Sequence, residues 1–351
     1  MLLLAENTGV VFAAPAPSRF ADPPVFLMDA LSDLLQVVKL NGALFLDSRF
    51  TAPWCVESRP ARESGGIFAG LGHIVFFHAI TRGQCRVRLR SGGDTLQVHA
   101  GDLLLLPHDD AHYLGSDLQL AAVTSDTLVR PAPPGGLMRI DHGGGGEETR
   151  FICGFLACEP HLCQPLLDAL PHILRVPLAG GAGGGWLLDL LYHAAHADDA
   201  PGPGSASVKA KLAELLFLEA IRRHIDALPA HETGWLAGLR DPYVGRALNA
   251  LHERPMHAWS VEELGAHAGL SRSALAQRFN ELIGMPPMHY LMRWRLRRTA
   301  AALQDSRRPI AALAGDCGYE SEAAFNRAFK REFGMPPAAW RRKGRRSVAR
   351  S

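Results

Sequence analysis

Three sets of side chains in this 351-residue chain are of types that do chemistry. The first is a pair of polar faces in the last third. One carries Arg272, Ser273, Ala276, Gln277 and Asn280; the other carries Glu322, Ala323, Asn326, Arg327, Lys330 and Arg331. Arginine addresses guanine through two donors, and glutamine or asparagine addresses adenine, so such faces suit the reading of base edges in a major groove. The second set is the histidines of FFHAITRG and PHDDAHYL, His78 and His112, with His73, His99 and His108 nearby. With Trp54 and Phe77 they could line a pocket for a small organic effector; core or turn histidines are the alternative. The third set is the thiols. Oxidation sensing needs an accessible thiol of low pKa with a resolving partner, and Cys85 and Cys153 are the candidates. Cys153, Cys158 and Cys163 are five apart, which would set neighbours on opposite faces of one strand. Buried free cysteines are the alternative reading.

The elements that carry the first set form an internal repeat. VEELGAHAGLSRSALAQRFNELIGMPP (261–287) matches IAALAGDCGYESEAAFNRAFKREFGMPP (310–337). Leu264 corresponds to Leu313 and Gly269 to Gly318; after one inserted residue, Leu275 corresponds to Phe325 and Phe279 to Phe329. Each copy predicts helix, glycine turn, helix. Gly269 and Gly318 supply the positive φ that ends the first helix, and Ser271 and Ser321 suit the N-cap of the second. Leu275 with Phe279, and Phe325 with Phe329, are four apart and define the buried face. This is a helix-turn-helix, twice over. Between the copies, residues 288–304 predict a helix about 25 Å long, which would set two recognition helices near the roughly 34 Å of one DNA turn. Its Arg293, Arg295, Arg297 and Arg298 are expected to meet phosphates, as is the basic tail RRKGRRSVAR; a solvated helix face and a loose tail are the plain alternative.

Charge follows the same division. The chain carries 37 Lys+Arg and 35 Asp+Glu, a net +2. Residues 241–351 hold 19 Lys+Arg against 10 Asp+Glu, so the acidic front masks a basic back that points to nucleic acid. A hydrophobic share of 47% excludes a largely disordered chain. No run of about 18 uncharged apolar residues predicts a membrane span, and the first residues lack the basic region of a signal peptide. A cytoplasmic protein with reduced thiols is expected.

Residues 1–24 read as a flexible tail. MDALSDLLQVVKL has helical spacing, and GHIVFFHAI, QCRVRLR, DTLQVHA, DLLLLP, LQLAAV and RFICGFLAC read as short strands of a barrel or sandwich. Residues 131–148 read as a flexible loop, and 179–186 as a glycine-rich break. VKAKLAELLFLEAIRRHI (208–225) predicts a strong helix with more than one apolar face. Full burial or pairing with a second copy would each satisfy it.

At this point the C-terminal part resembles the AraC/XylS family of bacterial transcription regulators. The resemblance rests on SVEELGAHAGLSRSALAQRF, the GMPP-then-YLMRWRL connector and CGYESEAAFNRAFKREFGMPPAAWRR. The N-terminal part resembles the cupin-type sensory domain of one branch, through FFHAITRGQCRVRL and AGDLLLLPHDDAHYL. The resemblance implies an α+β fold class: a cupin-like β-barrel over 25–178, an all-α linker or dimerisation region over 186–230, a double helix-turn-helix domain over 241–342, and a basic tail over 343–351. It implies binding to double-stranded promoter DNA, activation through RNA polymerase, and control by an unidentified small-molecule or redox signal. The base-facing positions it implies are Arg272, Ser273, Ala276 and Gln277, then Glu322, Ala323, Asn326 and Arg327. The His-x-His with a following Glu of metal-binding cupins is absent, since His78 stands alone. No metal or other cofactor is therefore expected. The competing class is a metal-dependent cupin enzyme with an accessory helical domain.

Overall fold

The structure is a computed structural model that describes residues 29–64, 68, 70–132, 136–178, 185–196, 203–229 and 231–348. The expected tail over 1–24 and most of the glycine-rich break lie outside the described residues.

The N-terminal part opens with helix α1 (Ala30–Val38), whose N-cap Asp29 accepts from the Ser32 amide. Strands β1 (Asn41–Thr51) and β2 (Cys55–Ser58) follow, then the short α2 (Ala61–Ser64). The next strands are β3 (His73–Arg82), β4 (Gln84–Leu89), β5 (Leu96–His99), β6 (Asp102–Leu106), β7 (His112–Gly115), β8 (Val123–Thr124), β9 (Met138–Gly143) and β10 (Glu148–Cys158). Helix α3 (Pro160–Leu167) and strand β11 (Leu174–Pro177) complete this part. The strands form two sheets, a six-stranded one in the order β11-β6-β3-β10-β1-β9 and a five-stranded one in the order β5-β4-β7-β2-β8. The expected barrel is thus two mixed sheets, and no ladder joins them into a closed cylinder among the described residues.

Two stretches differ from their sequence expectation. The 131–148 loop contains β9, which pairs parallel with β1 from Leu46↔Met138 to Thr51↔Gly143. Only Ile140 of β9 is buried, so no alternation marked it; its partner is about ninety residues away. LQLAAV gives only the two-residue β8, with Leu120 left exposed.

The helical part comprises α4 (Gly185–His196), α5 (Ser205–Ala227), α6 (Trp235–Arg240), α7 (Val244–Glu253), α8 (Val261–Ala268), α9 (Arg272–Ile283) and α10 (Pro287–Asp305). It ends with α11 (Ile310–Asp316), α12 (Glu322–Phe333) and α13 (Pro337–Val348), so the stretch expected as a basic tail is helical through Val348.

Two apolar clusters hold the described residues together. One is the lining of the paired sheets, dense in aromatics: Phe50 stacks on Trp54 at 4.2 Å and on Phe151 at 5.2 Å. The other begins on the outer face of the six-stranded sheet, takes in α1, α3 and α5, and continues without a break into α6–α13. The sheet-bearing and helical parts therefore share one core.

Candidate functional site

The repeated unit folds as its spacing dictates. Ser271 accepts from the Ala274 amide and Ser321 from the Ala324 amide, starting α9 and α12. Gly269 and Gly318 take φ of +84° and +88° in the turns before them. Leu275, Phe279, Phe325 and Phe329 are fully buried. Opposite them, Arg272, Ser273 and Gln277 on α9, and Glu322, Ala323, Arg327, Lys330 and Arg331 on α12, are exposed, while Ala276 and Asn326 are half-buried.

The two polar faces differ in what already engages them. Arg272 pairs with Glu262 of α8 at 2.9 Å, and Gln277 donates to Glu281 at 2.8 Å. Arg278 makes a forked contact with Asp241 at 2.6 and 3.0 Å. On α12, Arg327, Lys330 and Arg331 have no ion-pair partner among the described residues.

The arginines of α10 are a correction. Arg293 and Arg297 both hold Glu332 of α12, at 2.8 and 3.0 Å. Arg295 donates to the Pro255 carbonyl at 2.5 Å, and Arg298 to Asp33 of α1 at 2.9 Å. They fasten neighbouring segments together rather than awaiting phosphates, because a helix packed among six others leaves its long cations few other directions. Nor is Lys343 of α13 free, since it pairs with Glu159 at 2.9 Å.

In the N-terminal part, alternation along β3 sorts the expected pocket residues. Phe76 and His78 face the space between the sheets; Phe77 faces the other way and packs over Gly154 in the outer core. A cavity of about 60 Å³ is lined by the rings of Phe45, Phe50, Phe68, Phe76 and Phe151, with Ser48, His78 and Cys153 among its polar groups. Of the expected set, only His78 lines it. Trp54 is locked in the aromatic stack, and His112 stands behind His78. The period-two alternation around His78 was the signal that favoured Phe76 over Phe77.

His78, His112 and Cys153 form one buried chain. His112 donates from Nδ1 to the Asp110 carbonyl at 2.9 Å, so its Nε2 accepts from His78 Nε2 at 3.1 Å. His78 Nδ1 is then the acceptor for the Cys153 thiol at 2.9 Å. Burial lowers both histidine pKa values, that of His112 to about 4, so both rings are neutral. The same burial pushes the Cys153 thiol up and the Cys85 thiol to about 12. All six cysteines are buried. Cys163 lies on α3, not on the strand of Cys158, and its thiol is held protonated by a hydrogen bond to Cys158 and by burial. Cys85 and Cys153, named for redox chemistry, thus lack the exposed thiolate that oxidation requires. Among the described residues no three His, Cys, Asp or Glu side chains converge on one point.

Sequence reasoning missed Asp33, His252 and Tyr290, which meet inside the shared core. Asp33 is a carboxylate inside an apolar helix face, the one local hint; its partners lie 219 and 265 residues away.

Comparison with known proteins agrees with this geometry. Residues 29–226 match the Cupin family, and residues 264–343 match a helix-turn-helix domain family. An AraC-like transcription regulator of Streptomyces antibioticus is 32% identical over 316 residues, 90% of this chain and 99% of that protein. The HTH-type transcriptional regulator AlkR of Acinetobacter baylyi is 30% identical over 322 residues, again 90% of this chain and 99% of that protein. Among solved structures, the DNA-binding domain of AdpA in complex with a target DNA is 30% identical and covers 32% of this chain and 99% of that one, at a TM-score of 0.29. The chain belongs to the AraC-type family of transcription regulators, with a cupin domain ahead of its helix-turn-helix domain.

Proposed function

We propose that the protein is a sequence-specific activator, working in the cytoplasm, whose DNA binding answers to a compact, largely apolar effector. The observation that carries this reading is the sheet shared by two surfaces. The inner face of β1, β3 and β10 lines the cavity, while the outer face packs into the core that holds both helix-turn-helix units. An occupant beside His78 and Ser48 would press on a wall that the DNA-binding helices lean on. Arg327 and Asn326 of α12, with Arg272 and Gln277 of α9, read bases; Lys330 and Arg331 add phosphate contacts.

A second copy of the chain supports this function through α4 and α5. Trp186 and Leu190 stand one turn apart on α4, Val208 and Leu215 two turns apart on α5, and all four are exposed on helices that pack together. RNA polymerase is the downstream partner. Footprinting on the DNA upstream of its own gene tests the reading. We expect protection over two adjacent major-groove segments, weakened steeply by salt and altered by small apolar molecules that raise the melting temperature. Equal affinity for this DNA and random DNA would overturn it.

A further inference from the structure

A sensor side chain is built into the core of the DNA-binding domain. Trp235 of α6 donates its indole N–H to the Tyr290 hydroxyl of α10 at 2.8 Å. That hydroxyl lies 2.7 Å from Nε2 of His252 on α7, and Nδ1 of His252 lies 3.0 Å from Asp33 on α1. The indole can only donate and the carboxylate only accept, so the direction of the whole chain follows. Trp235 gives to Tyr290, Tyr290 gives to His252 Nε2, and His252 Nδ1–H gives to Asp33. The other carboxylate oxygen takes Arg298 of α10 at 2.9 Å. The first amide of α1, Ala30 N–H, donates to the Asn249 side chain of α7 at 2.9 Å. His252 and Tyr290 are buried, so neither can turn to water if Asp33 leaves. Directly above, the Tyr290 ring meets Phe279 edge-on at 5.8 Å, and Phe279 is the buried anchor of α9.

We propose that Asp33 is a positioning residue for DNA recognition. The sensor lends this carboxylate to the DNA-binding domain, completing the floor on which the first recognition helix sits. Withdrawing α1 unseats α9 while leaving α12 in place. This rests on the reading above that the sensor governs DNA binding, and it names the part that does so. The second recognition helix has a different floor, the rings of Phe333 and Trp340, with His161 of α3 against them at 6.2 and 5.6 Å. Loss of Asp33 therefore acts on one half of the DNA site.

The test is footprinting with the full chain, in which Arg272→Ala and Arg327→Ala mark the half-sites read by α9 and α12. Asp33→Asn keeps the shape but presents an N–H to His252 or Arg298. Leaving a buried donor unpaired is expected to weaken binding about tenfold, with protection lost over the α9 half and kept over the α12 half. Asn249→Ala, which removes only the acceptor for the Ala30 amide, is expected to give the same one-sided loss, smaller. It decides the matter if Asp33→Asn melts before it can be assayed. Unchanged protection, or equal loss over both halves, overturns the proposal. A wild-type protein with no footprint at all would instead remove the reading beneath it.

Discussion

The two helix-turn-helix units are copies in sequence but opposites in how they are held and charged. The first rests on a polar chain completed by Asp33 of α1, and its Arg272, Gln277 and Arg278 are already engaged by Glu262, Glu281 and Asp241. The second rests on a ladder of rings, Phe325, Phe329, Phe333 and Trp340, and shows Arg327, Lys330 and Arg331 unpaired among the described residues. The lesson is one of division of labour. If α1 governs the first unit as proposed, the second unit supplies electrostatic attraction and the first supplies binding that withdrawal of α1 weakens.

The largest test of this contrast is in the anchors. Phe329 meets three rings, at 4.4, 5.5 and 6.0 Å, whereas Phe279 meets one at 5.8 Å. Each change to Ala should cost about 3–5 kcal/mol, Phe329→Ala at the upper end, as read by urea unfolding. Equal losses would count against the aromatic ladder as the distinguishing support.

Base reading comes next. Arg327→Ala should cost about 1–3 kcal/mol and blunt preference at one base pair. Arg272→Ala should cost less, because binding by Arg272 first gives up its pair with Glu262, worth about 0–1 kcal/mol at an exposed site. Binding titrations against single-base variants of the site measure both, and a larger loss at Arg272 would reverse the assignment.

Salt dependence sharpens the charge difference. Lys330→Ala should lower the slope of log affinity against log salt by about one. Arg278→Ala should leave it unchanged, since Asp241 already holds that guanidinium.

Acid gives the smallest effect. Burial lowers the His252 pKa, against the opposing pull of the Asp33 hydrogen bond and the Asp33 and Asp29 charges; Arg298 adds to the lowering, and Tyr290 is the remaining ionisable neighbour. A histidine whose folded pKa lies below its unfolded value binds its proton more readily when unfolded. Its contribution is therefore whole above about pH 6.5 and falls as pH drops below that. The first unit should loosen by less than about 1 kcal/mol between roughly pH 6.5 and 5.5, seen as faster amide exchange in α7 and α9. The second unit has no buried histidine among its described residues and should not respond.

Much of this was legible in the residues themselves. The repeat, both N-cap serines, both turn glycines and the buried pairs four apart are local facts, and a helix forms from local facts. The cavity was legible only in part. Alternation on β3 sets His78 and Phe76 on one face, but which face is inner depends on a sheet whose strands come from distant segments. Strand β9 and the roles of the α10 arginines were not legible. A cation looks the same in sequence whether it will meet a phosphate or a carboxylate, and only packing chooses.

The sequence by itself determined that two recognition helices exist, where they start and stop, and which of their residues turn outward. Periodicity, capping and turn chemistry act within a few residues and need no partner. Only the tertiary structure decided that the first of those helices is tied to α1. That tie is made by Asp33 with His252 and Arg298, groups more than two hundred residues apart. A buried hydrogen bond is set by which surfaces meet, and nothing in the neighbourhood of Asp33 along the chain specifies its partners.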